Sequence, residues 1–203
     1  MESRLLVNSE YFQTALKQEW AAGQNRTVSI TDMRADTFNM YLNWQRDHYI
    51  YAVSNKMTSC SDDSTSSWTR LAECYIFGER LMDSDSKDAV IDACVQFLEF
   101  LGAWPPANDP EELPDPTVIR LLYENFVPCA KVREFLVDVF ASTDDKYELL
   151  TKGHLTQFVI GVHRKVLDST DVEVSADSCE YYEHGSRLCY RLRFKGHCDS
   201  SLL

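Results

Sequence analysis

The sequence predicts an α+β fold that is predominantly helical, and three observations lead to this expectation. The chain has 203 residues, 44% of them apolar and 12% aromatic, which is enough to bury a core without disulfide or metal cross-links. Most of the apolar residues recur at the helical spacing i, i+3, i+4 and i+7. One short stretch, Arg26 to Ile30, instead alternates β-branched residues in the manner of a strand. Helices should therefore form nearly all of the core.

The N-terminal part is expected to place two helices around that strand. Ser9 stands where an N-cap hydroxyl accepts from the first free amides of a short helix ending near Leu16. Asp36 is likewise predicted to be the N-cap of a longer helix that carries Trp44. Residues 54–67 are small, polar and without apolar period, which predicts a flexible loop. A solvated spacer is the simplest interpretation of this loop, and a phosphorylation segment is the functional alternative.

Five further amphipathic helices are predicted beyond this loop. The first two are joined by turn residues at Asp83 to Asp85, and the proline-rich stretch from Trp104 to Pro116 interrupts the helical pattern. The residues expected to be buried at the centres of the apolar stripes are Leu81, Ile91, Phe135 and Val159. We therefore predict a first domain over 1–104, a helical extension over 105–168 and a polar tail with a few short strands over 169–203.

The charge of the chain argues against nucleic acid as a partner. The formal net charge is −12, and the densest basic run, Arg187 to Lys195, lies in an otherwise acidic tail. No apolar run approaches the roughly 20 residues that cross a bilayer, and the first residues lack the features of a signal peptide. We expect no nucleic-acid or membrane binding and a cytoplasmic or nuclear location. In such a reducing compartment the seven cysteines are expected to be buried thiols rather than disulfides.

Common catalytic signatures are missing from the sequence. The seven glycines are scattered singly, so neither a dinucleotide loop nor a P-loop is present, and the Gly-x-Ser-x-Gly and His-Glu-x-x-His motifs are absent. His48, His154 and His163 lie far apart along the chain, although folding can unite distant residues. We predict that the chain is not an enzyme and has no catalytic residue and no cofactor.

One group of tail residues is chemically suited to a metal ion. Cys179, His184, Cys189, His197 and Cys198 are ligands of the kind that zinc binds. The chain has no Cys-x-x-Cys pair here, and the nine and eight residues that separate successive cysteines are not a diagnostic spacing. The sequence therefore predicts no metal site, with a zinc-stabilised regulatory domain as the alternative.

Several motifs along the chain resemble those of one family. In the N-terminal part they are Leu5-Leu6, Ser9-x-Tyr11-Phe12, Ala15-Leu16, Val28-x-Ile30, Asp36-Thr37-Phe38 and Tyr41-Leu42-x-Trp44. The later and more specific motifs are the helix pair Leu71 to Asp83 with Lys87 to Asp92, then Asp115-Pro116-x-x-Ile119 and Val137-Asp-x-Phe140-Ala. Together they make residues 5–168 similar to a BTB/POZ domain of the type found in filamentous fungi.

This resemblance implies a domain that assembles with other proteins. Such domains often form dimers or serve as adaptors for cullin ubiquitin ligases, so self-association and cullin binding are both open here. The family opens with a strand hairpin, whereas only Met1 to Arg4 precede the leucine pair, which predicts an N-terminally incomplete domain. Gln45 to His48 also depart from the family pattern, and Tyr182 replaces a histidine of the family's tail and removes one potential ligand. The expected function is a non-enzymatic protein-interaction module.

Overall fold

The chain is predominantly helical in the part that the computed structural model describes. That part comprises residues 9–17, 19–20, 24–25, 27–31, 33–52, 66–100, 113–143, 151, 153–168, 178–185 and 188–194. The α-helices are α1 (Glu10–Ala15), α2 (Ala35–Asp47), α3 (Ser67–Arg80), α4 (Ser84–Phe100), α5 (Pro116–Asn125), α6 (Lys131–Ala141), α7 (Thr156–Asp168) and α8 (Tyr190–Phe194). A short 3₁₀ helix, Ser178–Tyr181, precedes α8. The prediction of a mainly helical fold is thus confirmed.

The predicted β content is wrong for the described residues. Residues 27–31 take no regular secondary structure, and Arg26 lies outside the described ranges. A single strand is marginal because its backbone groups need a neighbouring strand, and none of the described residues supplies one. Short strands were also expected in the tail, where the described residues form the 3₁₀ helix and α8 instead.

The helix starts follow local hydrogen bonding, with one correction. Ser9 caps α1 as predicted, since its hydroxyl oxygen accepts from the Phe12 amide at 3.3 Å. The same hydroxyl donates to the Leu81 carbonyl at 2.7 Å, which fixes α1 against the end of α3. Asp36 does not cap α2: it lies in the first turn, and the N-cap residue is Arg34. The Arg34 guanidinium donates to the Asp36 carboxylate at 3.1 Å, so this acid supports the helix start from inside.

The turn between α3 and α4 is formed by Asp83, as the sequence predicts. Its carboxylate accepts from the Ser86 amide at 3.0 Å, and the Ser86 hydroxyl donates back to the Asp83 carbonyl at 2.9 Å. Gly78 makes this close approach possible, because a Cβ there would lie 2.5 Å from the Ser86 hydroxyl oxygen. Residues 54–65 of the loop predicted over 54–67 lie outside the described residues, and Ser67, the last residue of that prediction, is instead the first residue of α3. The proline-rich stretch from Trp104 lies outside the described residues up to residue 112, and Pro116 at its end begins α5.

The chain forms two compact units that do not follow the order of the sequence. The first unit comprises residues 1–51, 73–90 and 182–203, and the second comprises residues 52–72 and 91–181. The sequence-based division at 104 and 168 is therefore different from the spatial one. No helix in the described part of the chain is both long and apolar enough to cross a bilayer.

Large aromatic side chains form the core of the first unit. Trp44 is fully buried, and its ring meets the Tyr190 ring edge-on at 5.3 Å. Tyr41, also fully buried, meets the Phe77 ring at 5.2 Å in the same way. These contacts join α2 to α8 and to α3, so the first unit depends on residues from widely separated parts of the chain.

The second unit is built on α5, α6 and α7. The Phe140 and Phe158 rings meet at 4.9 Å and 89°, which joins α6 to α7. Gly161 lies where these helices come close, since a Cβ at this position would be 3.2 Å from a Val137 methyl group. Arg133 of α6 holds the end of α5, because its guanidinium donates to carbonyl oxygens at the α5 C-terminus and satisfies acceptors that lack a helical partner.

Candidate functional site

Three of the tail residues weighed as metal ligands are divided between the two compact units. Cys179 belongs to the second unit, whereas His184 and Cys189 belong to the first. Four residues lie between Cys179 and His184, and four lie between His184 and Cys189. The other two residues that the sequence analysis weighed, His197 and Cys198, lie outside the described residues.

Two hydrogen bonds fix the backbone on either side of Cys179. The Ser178 hydroxyl donates to the Asp92 carboxylate at 2.8 Å, and the Tyr181 hydroxyl donates to the Asp138 carboxylate at 3.0 Å. Ser178 and Tyr181 are both buried. The 3₁₀ helix that carries Cys179 is therefore held at both of its ends.

The ring of His184 is oriented by its own chain neighbour. Its Nδ1 atom lies 2.9 Å from the Gly185 carbonyl oxygen, and a carbonyl oxygen can only accept a hydrogen bond. In the neutral ring, Nδ1 then carries the proton and Nε2 carries the lone pair. Gly185 has φ +57°, a conformation that favours glycine, and the Tyr182 ring meets the imidazole edge-on at 5.5 Å.

The chain between His184 and α8 is held on the first unit by two anchors. The Glu183 amide donates to the Asp88 carboxylate at 2.6 Å, and the Tyr75 hydroxyl donates to the Glu183 carboxylate at 3.0 Å. Tyr190, directly after Cys189, is buried against Trp44. These contacts therefore hold the chain on both sides of His184 and Cys189 within the first unit.

The described cysteines differ in exposure. Cys74 and Cys94 are buried, as predicted, and burial raises the pKa of the Cys74 thiol to about 12. Cys179 and Cys189 are partly exposed, and Cys129 is exposed, contrary to the prediction for cysteines in general. Solvent therefore reaches the two tail cysteines but not Cys74.

Two buried carboxylates in the first unit were not found from the sequence. The Asp83 carboxylate accepts from the Tyr41 hydroxyl at 2.9 Å and from the Gln45 amide at 3.0 Å, in addition to the helix-capping bond. Burial nevertheless raises the pKa of Asp83 to about 6. Burial also raises the pKa of Asp88 to about 7, and its Oδ2 atom has no hydrogen-bond partner within the described ranges. An acidic residue on an amphipathic helix is usually exposed, so no sequence signal distinguished these two.

The three histidines considered for catalysis are placed in separate surroundings. His48 stacks on the Phe194 ring at 3.6 Å and 8°, within the first unit. His154 packs edge-on against Phe140 at 5.4 Å, within the second unit, and His163 is exposed on α7. The aromatic contacts of His48 and His154 give each a packing role.

A groove of about 680 Å³ lies on the second unit between α6 and α7. Its lining includes the apolar or small residues Ala130, Val137, Ile160 and Gly161. Ile160 is the most informative of these, because 51% of this side chain is exposed although it is large and apolar. Sequence reasoning missed the groove, since the periodicity that identifies the buried face of α7 assigns Ile160 to the solvent side.

Charged residues of both signs line the same groove. Lys165 pairs with Asp138 at 2.8 Å, and the Arg133 guanidinium lies over the Tyr123 ring at 4.1 Å. Arg164, Glu134 and Asp168 complete the charged lining. Positive and negative groups are equal in number, so the groove does not select for a strongly charged ligand.

Comparisons of the chain with protein-family models, with characterised proteins and with solved structures found no match. Functional interpretation therefore depends on the geometry and chemistry of the groove.

Proposed function

We propose that this chain is a non-enzymatic protein-interaction module that binds a partner polypeptide in the groove of its second unit. The observation that carries the proposal is the exposed Ile160 side chain, which lines a groove together with other apolar and small residues. When a partner removes an exposed apolar side chain from water, the complex is stabilised by roughly 25 cal/mol for each Å² of apolar surface that is buried. Concave sites with a few polar groups are the usual places for binding.

The lining favours an amphipathic helix of the partner as the occupant. Two neighbouring helices form the walls, and a third helix with apolar residues at i, i+3 and i+4 fits between such walls. Equal numbers of positive and negative groups at the rim would pair with a helix that carries both charges outside its apolar face. A nucleotide or a polyanion finds no excess of positive charge there.

This proposal is consistent with the resemblance to BTB/POZ domains, whose members assemble with other proteins. A second copy of this chain and a cullin are the two partners that the resemblance suggests, and they differ in their consequences. A second copy would give a dimer of the pure protein, whereas a cullin would leave the pure protein monomeric.

A pair of substitutions on α7 tests the groove. Ile160 and Leu167 are both apolar and exposed, 51% and 84% respectively, but only Ile160 lines the groove. Ile160→Glu should abolish partner binding, because it places a charge in the apolar contact, and Leu167→Glu should preserve it. The measurement is quantitative mass spectrometry of proteins retained from an extract of the source organism by the wild type and by each variant, with light scattering to detect dimers.

The comparison between the two variants decides the outcome. Proteins retained by the wild type and by Leu167→Glu but lost with Ile160→Glu would support the groove and identify the partner. A wild-type dimer that only Ile160→Glu dissociates would identify a second copy as the occupant. Equal binding by all three proteins, with unchanged helical circular dichroism, would overturn the proposal.

A further inference from the structure

We propose that the C-terminal segment of the first unit is a strap that is released as the pH rises from acidic to neutral values, and that its release uncovers the Trp44 ring. The described residues of this tail strap are 182–185 and 188–194, and they belong to the same unit as α2 and residues 73–90. The device involves only the first unit, so it does not depend on what the groove of the second unit binds.

The tail strap covers one face of α2 with aromatic rings. Tyr190 and Phe194 meet the Trp44 ring edge-on at 5.3 and 6.3 Å. Phe194 also stacks on the His48 ring at 3.6 Å. Trp44 is fully buried in this arrangement. Departure of the strap would therefore remove two ring contacts from Trp44 and expose it to water.

Contacts inside the tail strap join its two described parts. The Tyr182 and Tyr190 rings lie 5.9 Å apart, and the Arg191 guanidinium lies 5.5 Å from the centre of the Tyr182 ring. Helix α8 has five residues, which is too short for a helix to be stable without packing. Release at Tyr182 and Glu183 should therefore loosen α8 as well.

The polar anchors of the tail strap are carboxylates of α4. Asp88 accepts from the Glu183 amide at 2.6 Å, and Arg193 forms an ion pair with Asp85. Asp88 is fully buried, and its Oδ2 atom has no hydrogen-bond partner within the described ranges. Burial of a carboxylate that keeps an oxygen without a partner disfavours the ionised form. The docked strap therefore favours a protonated Asp88.

The charges around Asp88 add to this preference. The titratable groups near it are Asp85 and Lys87 on α4, Tyr75 and Glu79 on α3, and Glu183 on the strap. The Lys87 ammonium lies 2.6 Å from the Glu79 carboxylate and 4.0 Å from that of Glu183, so its charge is divided among several acids. Burial, the largest cause, together with the neighbouring carboxylates raises the pKa of Asp88 to about 7.

The direction of the pH effect follows from proton binding. A released strap exposes Asp88 to water, where the ordinary pKa of its carboxyl group is 3.8. Opening therefore releases a proton at pH values between 3.8 and about 7. The resulting preference for the docked state is fully present below 3.8 and is lost as the pH rises through about 7. Between pH 6 and pH 8 the open population should rise by up to about tenfold.

Hydrogen exchange of the full-length wild-type chain tests the strap, read residue by residue by NMR at pH 6 and pH 8 and corrected for the intrinsic exchange rates. The reporters are the Glu183 amide, which donates to Asp88, and the Leu192 and Arg193 amides, which donate to the Cys189 carbonyl. The opening equilibrium at all three should increase by up to about tenfold between the two pH values. Amides of α6 in the second unit serve as the internal reference.

Two variants and one matched control identify the titrating group. Asp88→Asn cannot ionise and should make strap opening equal at pH 6 and pH 8. Glu124→Gln neutralises an exposed carboxylate on α5 and should respond to pH like the wild type. Arg193→Gln removes the ion pair with Asp85, so it should increase opening at both pH values and keep the pH dependence.

Three results would overturn the proposal. The first is equal strap protection at pH 6 and pH 8 in the wild type, a measurement that does not depend on any variant folding. The second is an equal pH response in the wild type and in Asp88→Asn, because another group would then be titrating. The third is equal protection of the strap and α2 amides at pH 8, because the strap would then open only when the whole first unit unfolds.

Discussion

A single carboxylate, Asp88, contributes a pH dependence to the stability of the first unit. Burial raises its pKa from 3.8 to about 7, aided by the nearby Asp85 and Glu183 and opposed by Lys87. The folded state therefore holds a proton on Asp88 that the unfolded state has released above pH 4 or so. This contribution to stability is fully present below the unfolded pKa and is lost as the pH rises through about 7.

Replacement of Asp88 by asparagine should remove this dependence. Asp88→Asn keeps an oxygen that accepts from the Glu183 amide and eliminates the buried charge, so it should stabilise the fold by about 1–3 kcal/mol at pH 8 and by clearly less at pH 5, where only part of the contribution has been lost. Thermal melts at both pH values measure this, with Glu124→Gln, at an exposed position of α5, as the control. An equal effect at pH 5 and pH 8 would mean that Asp88 remains ionised in the fold.

Tyr41, by contrast, stabilises a second buried carboxylate, that of Asp83, through a hydrogen bond. Its hydroxyl donates to Asp83 at 2.9 Å in a fully buried position, so Tyr41→Phe leaves a buried acceptor with fewer donors. The loss should be about 1–3 kcal/mol in urea unfolding at pH 7, whereas Tyr51→Phe, at a side chain that is 53% exposed, should be neutral. Equal midpoints for the two variants would show that water replaces the Tyr41 hydroxyl.

Burial of individual residues follows the sequence pattern closely but not perfectly. Leu81, Ile91 and Phe135 are 2%, 1% and 1% exposed, as predicted. Val159 was predicted to be buried and is only half-buried, because the buried side of α7 centres on Phe158 and Val162. Periodicity identifies which stripe of a helix is apolar, and the packing partner then decides which residue lies at its centre.

At the scale of elements, the contact between α3 and α4 depends on one glycine. A Cβ on Gly78 would lie 2.5 Å from the Ser86 hydroxyl oxygen, and this hydroxyl is held by the Asp83 carbonyl. Gly78→Ala should therefore destabilise the protein by about 1–3 kcal/mol through overpacking, despite the helix propensity that alanine adds. Urea unfolding measures this loss. Gly161→Ala should have a smaller effect in the same titration, because its added Cβ would lie 3.2 Å from the nearest atom, a Val137 methyl carbon.

The opposite result at Gly78 would be equally clear. A more stable Gly78→Ala variant would show that Ser86 can rotate away from α3 without cost, and the capping hydrogen bonds of Asp83 would then be less important than their geometry suggests.

The helix predictions were right and the strand prediction was wrong, for one physical reason. A helix closes its hydrogen bonds within its own segment, so its apolar period and a cap such as Ser9 ahead of α1 identify it from the sequence. A strand closes its hydrogen bonds with another segment, and the alternation at residues 27–30 carries no information about a partner. The described residues contain no strand to pair with it.

At the scale of the whole molecule, the groove was less predictable than the fold. Cys179, His184 and Cys189 were recognised from the sequence as chemically suitable for a metal, but the first belongs to the second unit and the other two belong to the first. The groove could not be predicted because it depends on how α6 and α7 lie beside each other, with Gly161 at their close approach. It comes from tertiary geometry, which residue spacing does not encode.

The discontinuous first unit has a consequence for biosynthesis. Trp44 completes its packing only with Tyr190, which the ribosome adds about 146 residues later. At a synthesis rate of about 5–20 residues per second, this delay is roughly 7–30 seconds. During that time the Trp44 ring of the nascent chain lacks its final packing partner. The ring is then accessible to chaperones and to neighbouring chains on the same messenger RNA. Premature termination before α8 would make this transient exposure permanent.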